Sequence, residues 1–376
     1  MGNCMDIIPF LKLMADHGAS DLFFSVGTPP HMKVEGVTTA IGQAPLKSQQ
    51  MMEIAASIMN DAQQKEFAAT MELNMAISVD NIGRYRINLF RQRGEVAMVV
   101  RYIKGTIPSL EELNLPQILK TVVMEQRGLV LVVGSTSSGK STTLASMIDY
   151  RNSNDCSHIL TIEDPLEYLH YHKKSIVDQR EVGIDTLSFD NALKNAMREA
   201  PDVILIGEIR DRNTMKQAIA YAETGHLCLS TLHANNANQT LDRIINFFPE
   251  DAKQQLLLDL SLNLRAIISL RLIPGMHDKR VPAVEVLLST PYISDLIDKG
   301  KIEEIKEVMA KSTEQGMQTF DQALFELYKS GKITKENAIR YADSRNNLGL
   351  KIRLSEEGNF DQDSDLTIDS SEIDKF

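Results

Sequence analysis

Leu129-Val130-Leu131-Val132-Val133 runs straight into Gly134-Ser135-Thr136-Ser137-Ser138-Gly139-Lys140-Ser141-Thr142, and this stretch decides how the rest of the chain is read. Five consecutive apolar residues suit a strand buried on both faces. The next eight fit G-x-x-x-x-G-K-[ST] without a gap, and a helix is expected over 141–150. Strand, tight loop and helix start form an anion cradle, because loop N–H groups and the positive end of the helix point at the same place. Gly134, Ser135, Thr136, Ser137, Ser138, Gly139, Lys140, Ser141 and Thr142 are therefore read as nucleotide-binding. Lys140 is placed to reach the β- and γ-phosphates of ATP, and the Ser141 hydroxyl to ligate Mg²⁺. Ser137 is a departure, since many such loops carry Gly there.

Binding alone does not hydrolyse. A carboxylate near Mg²⁺ and a group that positions water are also needed. Two further apolar strands end in such groups. One is His158-Ile159-Leu160-Thr161-Ile162-Glu163-Asp164-Pro165, and the other Asp202-Val203-Ile204-Leu205-Ile206-Gly207-Glu208. In a parallel sheet, ligands bind beyond the carboxyl ends of the strands. Glu163 is assigned as base or water-positioner, and Glu208 to the Mg²⁺ shell. A third strand at 227–229 leads to His233, a candidate sensor of the γ-phosphate. His170 and His172 have a spacing that permits metal ligation, but no Cys or acid cluster accompanies them.

Outward from this core, apolar strands at 129–133, 159–162, 203–206 and 227–229 alternate with helices, which indicates an α/β domain with a covered parallel sheet. Past Pro282 the pattern turns helical to about residue 354. Upstream, residues 6–15 and 47–69 have helical periodicity, while 18–30, 83–90 and 95–103 suit strands. The alternation at 83–90 puts Arg84, Arg86 and Asn88 on one face and Tyr85, Ile87 and Leu89 on the other. A small α+β domain over 1–104, a Pro-containing linker at 105–116 and an ATPase domain over 117–355 follow from these shifts in pattern.

The net charge is −11 over 376 residues. Eight acids and one base fall within 356–376, so the body is near neutral and the end reads as an acidic disordered tail. No basic face suggests a nucleic-acid partner. Three scattered cysteines suit a reducing compartment and make no zinc motif. No apolar run has transmembrane length, and no signal peptide is recognised at the start. Met1-Gly2-Asn3-Cys4 faintly resembles an acylation signal, but Asp6 stands where Ser or Thr is wanted.

The order of these pieces resembles the secretion ATPase superfamily, and within it the PilT/PilU group of type IV pilus retraction ATPases. The residues that carry the likeness are 134–141 (Walker A), Thr161-Ile162-Glu163-Asp164-Pro165 (Asp box), Ile206-Gly207-Glu208-Ile209-Arg210-Asp211 (Walker B) and 224–235 (His box). Met317-Gln318-Thr319-Phe320-Asp321-Gln322 adds a C-terminal motif. The resemblance implies a PAS-like N-terminal domain, a RecA-like ATPase domain with a helical C-terminal part, and a homohexamer. It also implies arginines of the N-terminal domain that complete the ATP site, for which Arg86 and Arg101 match best and Arg84 is a third candidate. A cytoplasmic location at the inner membrane face, a pilus platform protein and a partner retraction ATPase are further implications. Where one branch of the group has an Ala-Ile-Arg-Asn-Leu-Ile-Arg helix, this chain reads Ile293-Ser294-Asp295-Leu296-Ile297-Asp298-Lys299. That change and the acidic tail resemble the accessory PilU branch. A coupling subunit that binds nucleotide without needing its own turnover is the alternative reading.

Overall fold

The computed structural model describes residues 6–80, 82–276 and 279–360. The described residues pack as two compact units. Within the described residues, one draws on 6–112, 119–129 and 141–231, the other on 113–118, 130–140 and 232–360. The acylation-like start and the acidic segment from residue 361 lie outside the described residues. Residues 356–360, expected in the tail, belong instead to the helix Arg345–Phe360.

The first unit opens with the helix Ile8–Asp16, which turns Leu11 and Met14 inward. Strands β1 (Asp21–Ser25), β2 (His31–Val34), β3 (Val37–Ala40), β4 (Glu72–Val79), β5 (Gly83–Gln92) and β6 (Glu95–Ile103) form a sheet ordered β3-β2-β1-β6-β5-β4. Every neighbouring pair in it is antiparallel. The expected alternation in β5 is present: Tyr85, Ile87 and Leu89 are buried, and Arg84, Arg86 and Asn88 are half-buried. The Tyr85 hydroxyl donates to the carbonyl of Leu11 at 2.8 Å and ties helix to sheet. The helix expected over 47–69 is two helices, Ser48–Ile58 and Asp61–Thr70. Asn60 divides them, because its side chain caps the second: it accepts from the Gln63 N–H at 2.9 Å, and Gln63 Oε1 accepts from the Asn60 N–H at 3.0 Å. The segment 105–116 holds no helix or strand. Leu110 and Leu115 nevertheless bury their side chains, so it is anchored.

Seven strands follow: β7 (Gly128–Gly134), β8 (His158–Glu163), β9 (Ile176–Glu181), β10 (Val203–Ile206), β11 (Leu227–Leu232), β12 (Leu264–Pro274) and β13 (Arg280–Leu288). In the first unit β11-β10-β8-β9 lie side by side and parallel. Register aligns Ile162 with Ile206 and Ile206 with Ser230, so the three strands end at one level. All four residues of β10 and all six of β11 are buried, as strands covered on both faces must be.

In the second unit β12 and β13 pair antiparallel, where the sequence reading expected helix after Pro282. β13 continues to Leu288, and helices resume only at Pro291–Asp298. Pro282 is tolerated because β13 stands at the end of the strand order, where a missing N–H leaves no ladder bond unmade. Ile273 and Ala283 of this hairpin pack with Phe320, Leu324 and Ile352 of the C-terminal helices.

Candidate active site

The phosphate loop is shaped by two glycines. Gly134 has φ +153, and a β-carbon there would run into Ser138 Oγ and sit 2.6 Å from the carbonyl oxygen of Leu270. Gly139 has φ +96, a conformation that L side chains rarely adopt. Ser137 has φ +60, so a residue with a β-carbon sits in the left-handed region, at a cost of about 1–2 kcal/mol. The Lys140 ammonium donates to the carbonyls of Gly134 at 3.0 Å and Ser135 at 2.9 Å, which holds it against the loop. Ser138 Oγ is buried without a hydrogen-bond partner among the described residues. An orphaned polar atom in a glycine-shaped loop at a helix start fits an anion such as a nucleotide phosphate. Replacing Gly134 with Ala is expected to weaken nucleotide binding roughly tenfold or more, about 1.4 kcal/mol, in a titration with a fluorescent ATP analogue.

Gly134, Ser135 and Thr136 line a cavity of about 710 Å³ with His233, Asn235 and Arg243. That volume lies within the ordinary range of small-molecule sites. The structure thus brings His233 to the same cavity as the head of the loop.

The carboxylates are positioned by the aligned strand ends of the first unit. Gly207 N–H donates to the Ile162 carbonyl at 2.8 Å, and Ile209 N–H to the Thr231 carbonyl at 2.9 Å. Thr231 Oγ1 donates to the Gly207 carbonyl at 2.7 Å, and Ser230 Oγ to that of Ile206 at 2.7 Å. These bonds stitch together the ends of β8, β10 and β11. Gly207 allows the close approach: a β-carbon there would meet Glu163 Cα at 3.2 Å. Glu163 accepts from Thr161 Oγ1 at 2.8 Å, and the Gln179 side chain also acts on its carboxyl. Burial pushes its carboxyl up to about 7, while the Thr161 and Gln179 side chains oppose the shift. Ser141 and Glu163 share a small cavity with Gly207 and Thr231. Glu208 Oε2 accepts from Arg210 Nε at 2.8 Å, so Arg210 orients the carboxylate next to it in the chain.

The arginines are held within the first unit. Arg86 Nε lies 3.7 Å from Oε1 of the buried Glu181 on β9. Arg101 Nε donates to Asp21 Oδ1 at 2.9 Å, across the β1–β6 register that pairs those two residues. Arg84 Nε is buried without a hydrogen-bond partner among the described residues. Thr142 Oγ1 lies 3.0 Å from the Tyr168 hydroxyl. His172 Nδ1 accepts from the Val177 N–H at 3.0 Å, and His170 is buried. Among the described residues no group of three His, Cys, Asp or Glu side chains is placed to hold a metal. Mg²⁺ needs no such group, since it keeps several waters and takes one or two protein oxygens beside phosphate.

Thr161 and Gln179 were missed in the sequence. Thr161 was legible, because period 2 in β8 puts it on the same face as Glu163. Gln179 sits on β9, a strand whose polar alternation gave no apolar run to find.

The family described as "Type II/IV secretion system protein" matches residues 17–357. The type IV pilus ATPase PilU of Pseudomonas aeruginosa is 54% identical over 364 residues, covering 96% of this chain and 95% of that protein. The type IV pilus retraction ATPase PilT of the same organism is 43% identical over 334 residues, covering 89% and 97%. A crystal structure of the pilus retraction motor PilT with bound ADP superposes with a TM-score of 0.85 at 39% identity, covering 92% of this chain and 99% of that one. The chain belongs to the type II/IV secretion system proteins, and within them to the PilT/PilU family of pilus retraction ATPases.

Proposed function

We propose that this chain is an ATP-hydrolysing motor that powers or assists type IV pilus retraction as a homohexamer. The observation that carries the reading is Glu163. It is a carboxyl held near neutrality by burial, at the aligned ends of β8, β10 and β11, in one cavity with Ser141, the residue after the loop lysine. A general base works best when its own value lies close to the operating pH. ATP is held by residues 134–142, with Lys140 leaving its two loop carbonyls for the β- and γ-phosphates. Mg²⁺, when bound, offsets phosphate charge, and Ser141 and Glu208 are the residues that would hold it. Glu163 orients the attacking water and takes its proton. His233 donates to the γ-phosphate end of the nucleotide.

Arg86 and Arg101 are proposed to stabilise phosphate charge in a ring. Both carry carboxylate partners within their own chain, which keep the guanidinium groups placed. A division into a domain over 1–104, a linker at 105–116, an ATPase domain over 117–355 and a tail beyond is part of the same proposal. So are a cytoplasmic location at the inner membrane face, a platform protein there and a partner retraction ATPase. No helix among the described residues is long and apolar enough to cross a membrane. The absence of a nucleic-acid partner rests on the near-neutral body.

The coupling-subunit reading has one observation in its favour. The helix Pro291–Asp298 buries Ile293, Leu296 and Ile297 and carries Asp295 and Asp298 in place of the Ala-Ile-Arg-Asn-Leu-Ile-Arg sequence of a retraction branch. Imaging of labelled pili separates the two readings. With a partner ATPase present, cells carrying Glu208→Ala are expected to lose most retraction events. Retraction at the wild-type frequency would reject a motor and leave a coupling subunit.

A further inference from the structure

The cavity that holds Glu163 is small. Its volume is about 30 Å³, and its polar lining is Ser141, Glu163, Glu167, Tyr168, His170 and Thr231. That is the space of one water molecule, and a water needs two to four polar partners to stay. His170 supplies one with no other use. The residue is only 7% exposed, and its Nδ1 is buried with no hydrogen-bond partner among the described residues. An orphaned buried nitrogen costs about 1–3 kcal/mol, so a purely structural position is better served by an apolar ring.

The backbone that carries the ring is tied to β9. The backbone N–H of His170 donates to Gln179 Oε1 at 2.7 Å, and Gln179 Nε2 donates to the Tyr168 carbonyl at 3.0 Å. The same Gln179 side chain acts on the Glu163 carboxyl and opposes its upward shift. One residue of β9 therefore adjoins both His170 and Glu163. Burial pushes the His170 imidazole down to about 4, while Asp149 raises it and Lys173 lowers it. The ring is neutral under working conditions, and a neutral imidazole keeps one nitrogen as an acceptor.

We propose that His170 is a positioning residue of the hydrolytic site: its Nδ1 holds one water in the cavity it shares with Glu163, and that water fixes the Glu163 carboxylate. The water donates one proton to Nδ1 and the other to a carboxylate oxygen, while Thr161 donates to Oε1. No bond is made or broken in this arrangement. The inference rests on Glu163 as the base.

The test uses the purified full chain with His170→Phe, His170→Asn and Glu163→Gln in parallel. His170→Phe keeps a ring and removes the nitrogens. Its kcat for phosphate release should fall about ten- to hundredfold, while KM and nucleotide affinity stay within about twofold. His170→Asn returns a polar atom near the place of Nδ1 and should recover most of that loss. A high-resolution crystal structure of the wild-type chain should show a water within hydrogen-bond distance of Nδ1 and Glu163. Wild-type kcat in His170→Phe, an Asn variant as slow as the Phe variant, or a dry cavity in the crystal overturns the inference. The crystal decides the matter even if both variants fold poorly. Near-normal turnover in Glu163→Gln overturns the reading beneath it instead.

Discussion

Glu163→Gln is expected to lower kcat for ATP hydrolysis about a thousandfold while nucleotide still binds, because general-base catalysis by a positioned group contributes about 10²–10⁴. The amide keeps the shape of the side chain and can still accept from Thr161 Oγ1, so the ends of β8, β10 and β11 stay aligned. What is lost is the lone pair that takes the proton of the attacking water. The wild-type rate should depend on pH in the same terms. With the carboxyl held at about 7, activity rises nearly tenfold for each pH unit well below that value and levels off above it.

Stability should move the other way. In the unfolded chain the carboxyl has its ordinary value of 4.5, and in the folded chain about 7, so folding favours the protonated form. That contribution is complete below the unfolded value and is lost as pH rises through the folded one. At pH 8 the wild-type chain carries a buried charge that Gln lacks, which corresponds to up to about 3 kcal/mol. Glu163→Gln should thus raise the melting temperature at pH 8 by several degrees and change it little at pH 4. Calorimetry at the two pH values checks the sign. A lower melting temperature at pH 8 would mean that partners favour the ionised carboxylate and that its folded value lies below the unfolded one, not above it.

Lys140→Ala is expected to abolish turnover and to weaken ATP binding about ten- to hundredfold, the worth of charge-assisted hydrogen bonds of about 1.5–3 kcal/mol. The ammonium now rests on the Gly134 and Ser135 carbonyls, and no other side chain of the loop carries a charge to replace it. The helix Lys140–Asn154 buries Leu144, Met147 and Ile148 on its own account, so the variant should fold. Isothermal titration with ATP and ADP measures the loss. ATP should lose more than ADP, because the γ-phosphate is the group nearest the missing charge. Equal losses for both would place Lys140 on the β-phosphate alone.

The parts of the fold visible in the sequence were those where local pattern and burial agree. The β7 run, the loop and the strands ending at Glu163 and Gly207 have apolar residues on both faces, and few other structures suit such runs. β6 and β10 were bounded correctly for the same reason. β9 was not visible, because Asp178 and Gln179 interrupt it and its outer residue Ile176 is exposed. β12 and β13 were hidden by length and by Pro282: eleven residues from Leu264 with Arg265 and Arg271 among them resemble neither a short buried strand nor an amphipathic helix. The break at Asn60 escaped because helix-forming residues stand on both sides of it, while the cap depends on one side chain.

The site shows a similar divide. Loop residues and carboxylates announce themselves by motif and by position at strand ends. Their supports do not, since Gln179 reaches Glu163 from a neighbouring strand, and the Arg86–Glu181 pair joins β5 to β9 across a long stretch of chain. Such contacts exist only after the chain has folded.

Steady-state phosphate release from ATP measures turnover by this chain's own site. The purified full chain is fractionated by size with light scattering and assayed with Mg²⁺ and with excess chelator. Release is expected from the ring-sized fraction with Mg²⁺, and none with chelator. A ring-sized fraction that binds ATP yet releases no phosphate in either condition would contradict it.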